Sequence, residues 1–485
     1  TYTPVLGASI LNSKNLTSRV ITVPQANDKS IAPIQNVNIS NGKIDITFDG
    51  KIKTVGANKA IDEENSTMNY KTHGVNFTSS IVNLLSSNIT SDKFSYKNYS
   101  SIISYVMGHN DFSIDNAEIT VGGTNYSNNR SAISIEGDDF SIGASAPNKI
   151  TTLTIGENTK LLQKTDGSLI HFNMLNGKYG NLVNKGTIEV IGKKSAAIIG
   201  GGHLPTTEED YLKIKRGEFE GDGGYKGLVH DVLVSYKKSG YHFIQDGTFE
   251  LRGYQQYGFF SNNNGGARIF EFNKPLKLLG KKGYGMVFYN TPKNLYTEGT
   301  IVNKGSYELI ATKGDGVANG YDVNNLKKSI FRIYMLGEDN TALYFVGGMN
   351  QDSYENFNID NVDIVSENAK NNSLVRLERV SNFNLGGEGQ YHSLLMKNEK
   401  GWRSQLITAH DSKDIKIHEK MEMGVFNSDN VTGITIQNSR RTDSNLTNRG
   451  KLVMTGNAHT KSVKNMTESD LTKAGKGMTG FLANN

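Results

Sequence analysis

Gly186-Thr187-Ile188-Glu189-Val190-Ile191-Gly192 is a phrase of seven residues in which apolar and polar side chains alternate between two glycines. It returns as Gly247-Thr248-Phe249-Glu250-Leu251-Arg252-Gly253 and as Gly450-Lys451-Leu452-Val453-Met454-Thr455-Gly456, with looser copies at Gly42-Lys43-Ile44-Asp45-Ile46 and Gly305-Ser306-Tyr307-Glu308-Leu309. Alternation with a period of two is the signature of a strand with one apolar face. A strand this short cannot bury that face alone, but copies piled in parallel share one continuous interior. The phrase therefore predicts an all-β fold, a parallel β-helix, taken as right-handed because parallel crossovers favour that hand.

A second phrase, an Asp or Asn followed by apolar, polar and apolar residues, marks another strand of each coil. It occurs at Asp111-Phe112-Ser113-Ile114, Asp139-Phe140-Ser141-Ile142, Asn356-Phe357-Asn358-Ile359, Asn382-Phe383-Asn384-Leu385 and Asp414-Ile415-Lys416-Ile417. Neighbouring copies are separated by 28 (Phe112 to Phe140), 26 (Phe357 to Phe383) and 32 (Phe383 to Ile415) residues, which are read as coil lengths. Matching strands lie upstream at Ser131-Ala132-Ile133-Ser134-Ile135, Ser373-Leu374-Val375-Arg376-Leu377 and Ser404-Gln405-Leu406-Ile407-Thr408. Each coil thus supplies two or three strands, joined by turns in which Asn, Asp and Gly adopt positive φ cheaply.

Composition agrees with one elongated body. The 485 residues include 52 Gly, 7 Pro and no Cys, with no proline-rich or charge-block linker to separate independent cores. The net charge of +5 is small and dispersed, which argues against a nucleic-acid partner. Absence of cysteine fits a bacterial surface protein, exported through a compartment where stray thiols would be oxidised. No signal peptide or long apolar run is present, and the chain is expected to be a mature form or a fragment.

Two stretches break the ladder. Residues 1–33 carry Pro4, Pro24 and Pro33 in irregular sequence and are expected to cap the solenoid against strand addition. The β-helix proper is assigned to 34–475, and 476–485 to the end of the fragment. Residues 201–240 form an insertion in which Thr206-Thr207-Glu208-Glu209-Asp210-Tyr211-Leu212-Lys213-Ile214-Lys215-Arg216-Gly217 has a capping-box start, acids first, bases last and a closing glycine. A short helix on a protruding loop follows.

Catalytic and metal motifs are sparse. A polysaccharide-cleaving β-helix, hydrolase, lyase or phage-type depolymerase, needs grouped carboxylates, and Asp138-Asp139 is the one adjacent acidic pair in a strand phrase; Asp139 fills the slot of Asn356, Asn382 and Asp414, which favours a turn role. No Gly-x-Ser-x-Gly element places a serine nucleophile. The ten His show no zinc-binding spacing, and Glu218-Phe219-Glu220-Gly221-Asp222-Gly223-Gly224 lacks the ligand alternation of a calcium loop. No catalytic residue, metal or cofactor is assigned.

Surface recognition remains. The 22 Tyr outnumber the single Trp, and several lie away from the strand phrases: Tyr211, Tyr225, Tyr236 and Tyr241 in or at the edge of the insertion, and Tyr254 and Tyr257 just after it. With Trp402 they are the candidate ligand contacts, since aromatic rings lie well against sugars and anchor protein interfaces. The competing reading is that they pack the loops onto the solenoid.

The run Asn184-Lys185-Gly186-Thr187-Ile188-Glu189-Val190, followed by Ser195-Ala196-Ala197-Ile198-Ile199, resembles the repeats of type V autotransporter passengers, particularly the large fusobacterial outer-membrane adhesins of the RadD type. Asn303-Lys304-Gly305 and Asn448-Arg449-Gly450 repeat its start, and the resemblance runs loosely from Ile34 to Gly456. It implies a right-handed β-helix exported through an outer-membrane β-barrel that this chain does not include. It also implies display at the bacterial surface for attachment to other bacteria, host glycans or host receptor proteins. No binding residue carries over.

Overall fold

A computed structural model describes residues 11–14, 19–23, 37–48, 75–85, 103–106, 112–115, 118–122, 131–136, 138–139, 152–164, 167–173, 178–200, 207–218, 240–262, 267–289, 329–347, 357–401 and 403–484. These residues build a parallel β-solenoid in which β-strand dominates and helix is confined to short pieces. The chain divides into two units, the first comprising 1–249, 259–266 and 309–321, the second 250–258, 267–308 and 322–485. No helix among the described residues is long and apolar enough to cross a membrane.

In the first unit the alternating phrase folds as its pattern dictates. Along Thr187–Val190 the side chains alternate between half-buried and buried, with Ile188 and Val190 inward and fully covered. The copies at Gly186 and Gly247 open on glycine because the backbones touch. A Cβ on Gly186 would sit 2.3 Å from the Thr159 carbonyl, and one on Gly247 would sit 2.1 Å from the carbonyl of Gly186, onto which Thr248 N–H also donates. Thus the two best copies of the phrase lie one upon the other. The preceding Asn184 is equally local in cause: its Oδ1 accepts the Gly186 N–H at 3.1 Å, an Asx turn that aims the chain into the strand. Asn448 does the same for Gly450 at 2.9 Å.

The expected cap is partly ladder. Leu11–Lys14 and Arg19–Val23 both pair in parallel with Val37–Phe48, so stacked strands begin inside residues 1–33; the rest of that segment lies outside the described residues. The expected coil from Phe112 to Phe140 is corrected. Phe112 pairs with Leu153, and Asp138–Asp139 runs antiparallel to Lys178–Tyr179. Phe140 to Ile142 lie outside the described residues.

In the second unit the coils from residue 357 onward each carry three strands. One face stacks Phe357–Ile359, Ser381–Leu385, Lys413–Ile417 and Leu446–Asn448, with Phe357 over Phe383 and Phe383 over Ile415, the 26- and 32-residue intervals of the sequence. A second face stacks Ile330–Met335, Asn361–Glu367, His392–Lys397, Glu422–Phe426 and Lys451–Thr455. The third stacks Tyr284–Tyr289, Thr341–Val346, Ser373–Glu378, Gln405–His410, Thr432–Gln437 and Thr479–Asn484. Between the faces run ladders of like residues. Phe288 stacks on Phe345 at 5.0 Å, and Phe345 meets Phe383 edge-on at 5.2 Å, geometries in which offset or edge contacts add to apolar burial.

The turns use left-handed residues that the pattern anticipates. Asn382 (φ 60°) and Asp414 (φ 55°) begin the first face, and Asn368, Asn398 and Asn427 close successive strands of the second. At the corner between second and third faces, Asp339 and Asn371 are left-handed and each is followed by a buried Asn. Asn340 Oδ1 accepts from Gly283 N–H and Asn372 Oδ1 from Asn340 N–H, while their amide groups donate to Gly280 and Gly337 carbonyls. The column of amides satisfies backbone groups that the turn leaves without ladder partners.

Candidate functional site

Parallel stacking places the same rung position of consecutive coils at neighbouring sites, so chemistry can be read vertically. On the third face the last residues of three consecutive strands are Glu378, His410 and Gln437, in register. The strand ends there because Arg379 and Asp411 are left-handed, at φ 51° and 48°, turning the chain toward the first face. Arg379 N–H donates to the His410 carbonyl and Asp411 N–H to the Gln437 carbonyl, which fixes the corner.

Glu378 is buried, with its side chain 1% exposed, and Arg379 Nη1 lies 3.3 Å from Oε1. His410 Nδ1 is 2.5 Å from the same oxygen. Glu378 Oε2 has no hydrogen bond, although Arg376 Nη2 stands 3.7 Å away. On the other side of the imidazole, Nε2 is 3.5 Å from Asp411 Oδ2 and 3.3 Å from Ser439 Oγ. Asp411 is nearly covered and receives Ser439 N–H at 2.8 Å, Arg440 N–H at 2.9 Å and the Ser439 hydroxyl at 2.9 Å. Glu378, His410 and Asp411 together form a set whose ligand atoms all lie within 4.8 Å of one another.

Electrostatics follow from these neighbours. The hydrogen bond to Glu378 raises the His410 pKa above the ordinary imidazole value; burial opposes the rise, and the charges of Glu378 and Asp411 add to it. Asp411 is depressed: burial acts against ionisation, but the Arg440 and Ser439 donors outweigh it. The order Ser439, His410, Glu378 has the outline of a nucleophile, base and orienting acid. It is not poised as one. The serine proton is directed to Asp411, and the Ser439 and Arg440 N–H groups are both spent on Asp411 instead of facing an oxyanion.

The aromatic candidates are dispersed. Tyr257 is 1% exposed and stacks at 5.7 Å on Tyr284, which stacks at 5.5 Å on Tyr344. The Arg376 guanidinium ends that column, 4.7 Å from the Tyr344 centroid. Tyr257 is therefore a core ring and not a ligand contact, because the glycine and tyrosine after Gln256 enter a strand buried on both faces. Tyr211 is likewise covered: with Ile214, one turn on, it forms the buried side of the Glu208–Arg216 helix. Tyr254 stays half-buried, with Lys282 Nζ 5.5 Å from its ring. Tyr241 lies in the Gly240–Gln245 strand, its backbone paired with Gly180, and its side chain falls outside the described residues. Tyr225, Tyr236 and Trp402 lie outside them too, as does the Phe219 to Gly224 portion of the acidic loop.

The insertion helix itself forms as its sequence dictates. Thr207 and Asp210 exchange side-chain to backbone hydrogen bonds in a capping box, and Gly217 closes it at φ 70°. Lys194 reaches Glu208 at 3.5 Å. The helix is thus seated by one face, with Glu208, Glu209, Leu212, Lys215 and Arg216 exposed on the other.

The charged corner escapes a motif search because its members are 32 and 28 residues apart and meet only through coil stacking. No family model and no curated protein matches this chain.

Proposed function

We propose that the chain is the passenger of a bacterial surface adhesin, a solenoid that carries recognition elements away from its interior and does no chemistry of its own. One observation carries this reading: between Ser195–Gly200 and Gly240–Gln245 the chain inserts a self-capped helix, while Gly240–Gln245 pairs directly with Lys178–Asn184. Its buried side is two residues wide, and its outer side mixes acids, bases and Leu212, which is 39% exposed. An exposed leucine ringed by charges on a surface element offers a partner an apolar contact with a polar rim. The partner is a protein or glycan on a host cell or a neighbouring bacterium.

Support also comes from the way the rungs close on themselves. Buried amides and glycines at the corners satisfy one another from coil to coil, which leaves the turns free to vary in length and content. The test is replacement of residues 201–240 by a short Gly-Ser link in the otherwise intact chain. Circular dichroism should retain its β-sheet signal, while attachment to immobilised host cells, partner bacteria and a glycan array falls to background. Undiminished attachment by the folded deletion variant would overturn the assignment.

A further inference from the structure

We propose that His410 and Asp411 hold a divalent transition-metal ion of the zinc type at the corner between the third and first faces of the second unit. The site is independent of the adhesin reading. Its geometry comes from two ligand atoms and what fixes them. His410 Nε2 and Asp411 Oδ2 are 3.5 Å apart. Two atoms each about 2.0–2.1 Å from one tetrahedral ion are separated by roughly 3.4 Å. Ser439 Oγ, 3.3 Å from the nitrogen and 2.9 Å from the oxygen, marks a third corner, open to water because Ser439 is exposed.

The support behind these atoms is that of a metal centre. Glu378 engages Nδ1 at 2.5 Å, so its carboxylate selects the tautomer that leaves Nε2 facing Asp411, the outer-shell arrangement found behind metal-bound histidines. Glu378 is itself immobilised by burial and by Arg379, and its Oε2 is a buried oxygen without a hydrogen bond. Both guanidinium groups, Arg376 and Arg379, stand against Glu378 and balance its charge. Asp411 Oδ1 takes the Ser439 and Arg440 N–H groups, which orients Oδ2 toward the imidazole.

One imidazole and one carboxylate favour Zn²⁺, Ni²⁺ or Cu²⁺ over Ca²⁺ and Mg²⁺, which prefer all-oxygen sites. With the Ser439 hydroxyl at the third corner, the ion would join the end of the Gln405–His410 strand to the turn at Ser439, across consecutive coils. With two protein ligands and a hydroxyl or water, a dissociation constant on the order of micromolar is expected, far weaker than a four-ligand structural zinc site.

Calorimetric titration of the full chain with ZnCl2 in a non-chelating buffer at pH 7.5 tests this. The expected result is a site that weakens about tenfold or more in His410→Ala and Asp411→Asn, that weakens roughly 10- to 100-fold in Glu378→Gln, and that is unchanged in His418→Ala. Should a variant lose its cooperative melt, the unaltered chain decides: long-range ¹H–¹⁵N spectra should show the His410 Nε2 resonance move or broaden on adding ZnCl2. Zinc binding that survives His410→Ala, or a His410 resonance that ignores zinc, would overturn the proposal.

Discussion

Two corners of the second unit solve the same turn in opposite ways. Where the second face meets the third, left-handed Asp339 and Asn371 introduce buried, uncharged Asn340 and Asn372, and the column is closed to solvent. Where the third face meets the first, left-handed Arg379 and Asp411 bring in charged side chains, and Ser439 leaves the column open. Stacking makes either solution repeat, because a residue that suits one coil is met at the same height by the next. Neutral amides serve cohesion, since their donors find acceptors on neighbouring coils. Charges at the open corner supply chemistry, and they are tolerable there because opposite signs alternate at hydrogen-bonding distance.

The closed corner should be the more sensitive of the two. Asn372 accepts from Asn340 N–H and donates to the Gly337 carbonyl and Ser366 Oγ, all buried. Asn372→Leu leaves the Asn340 N–H and the Gly337 carbonyl unsatisfied and is expected to cost about 3–5 kcal/mol, read from denaturant midpoints at constant slope. Should the loss stay under about 1 kcal/mol, the amide column would not be the source of cohesion.

Next in size is a titration at the same corner. Glu399 is fully buried and touches the Ser366 and Ser404 hydroxyls. Burial pushes its pKa up to about 7, against the partial opposition of those hydroxyls. Since the folded chain binds this proton more tightly than the unfolded chain, the stabilisation is complete below an ordinary carboxyl pKa near 4.5. It is lost as pH rises through about 7. Glu399→Gln should therefore gain about 3 kcal/mol relative to the parent at pH 8 and nothing at pH 4. A parent whose melting temperature is flat over that window would contradict the assignment.

At the open corner the effect is smaller and its sign follows the imidazole. His410 is raised by Glu378, so its stabilising contribution is present below the ordinary imidazole pKa and fades as pH climbs past the folded value. Compared at pH 5.5 and pH 9 without metal, His410→Gln should cost about 1 kcal/mol at the lower pH and much less at the higher. Equal losses at both would show that packing, not charge, matters there. Smallest of all is Lys281 with Glu338, an exposed pair 3.3 Å apart on successive coils. Lys281→Met should move stability by less than about 0.5 kcal/mol, and a larger shift would mean that exposed charge ladders contribute to cohesion after all.

The solenoid was legible in the sequence because its grammar is local: Phe357, Phe383 and Ile415 announce their spacing, and Thr207, Asp210 and Gly217 announce a helix without reference to anything distant. The charged corner was not. Aligning the third-face strands on Ser373 and Ser404 sets Glu378 opposite Ala409, whereas the chain pairs Ser373 with Gln405 and Glu378 with His410. A slip of one residue exchanges inward and outward positions, so it conceals any site made by stacking. Two aromatic candidates are covered for a different reason. Tyr257 and Tyr211 stand beside turn-like sequence, but burial depends on what covers a residue from the adjacent coil, which single-strand alternation does not encode.

Parallel stacking in this register is the claim on which the corners, the ladders and the metal site all depend. The chain has no cysteine, so pairs of introduced thiols report without background. Asn384 and Lys416, 32 residues apart, are register partners on the accessible side of the first face. Asn384→Cys with Lys416→Cys should be bridged rapidly by dibromobimane, which fluoresces only on joining two thiols, and Asn384→Cys with Glu419→Cys should not. Faster bridging of the second pair, or of neither, would contradict the stack.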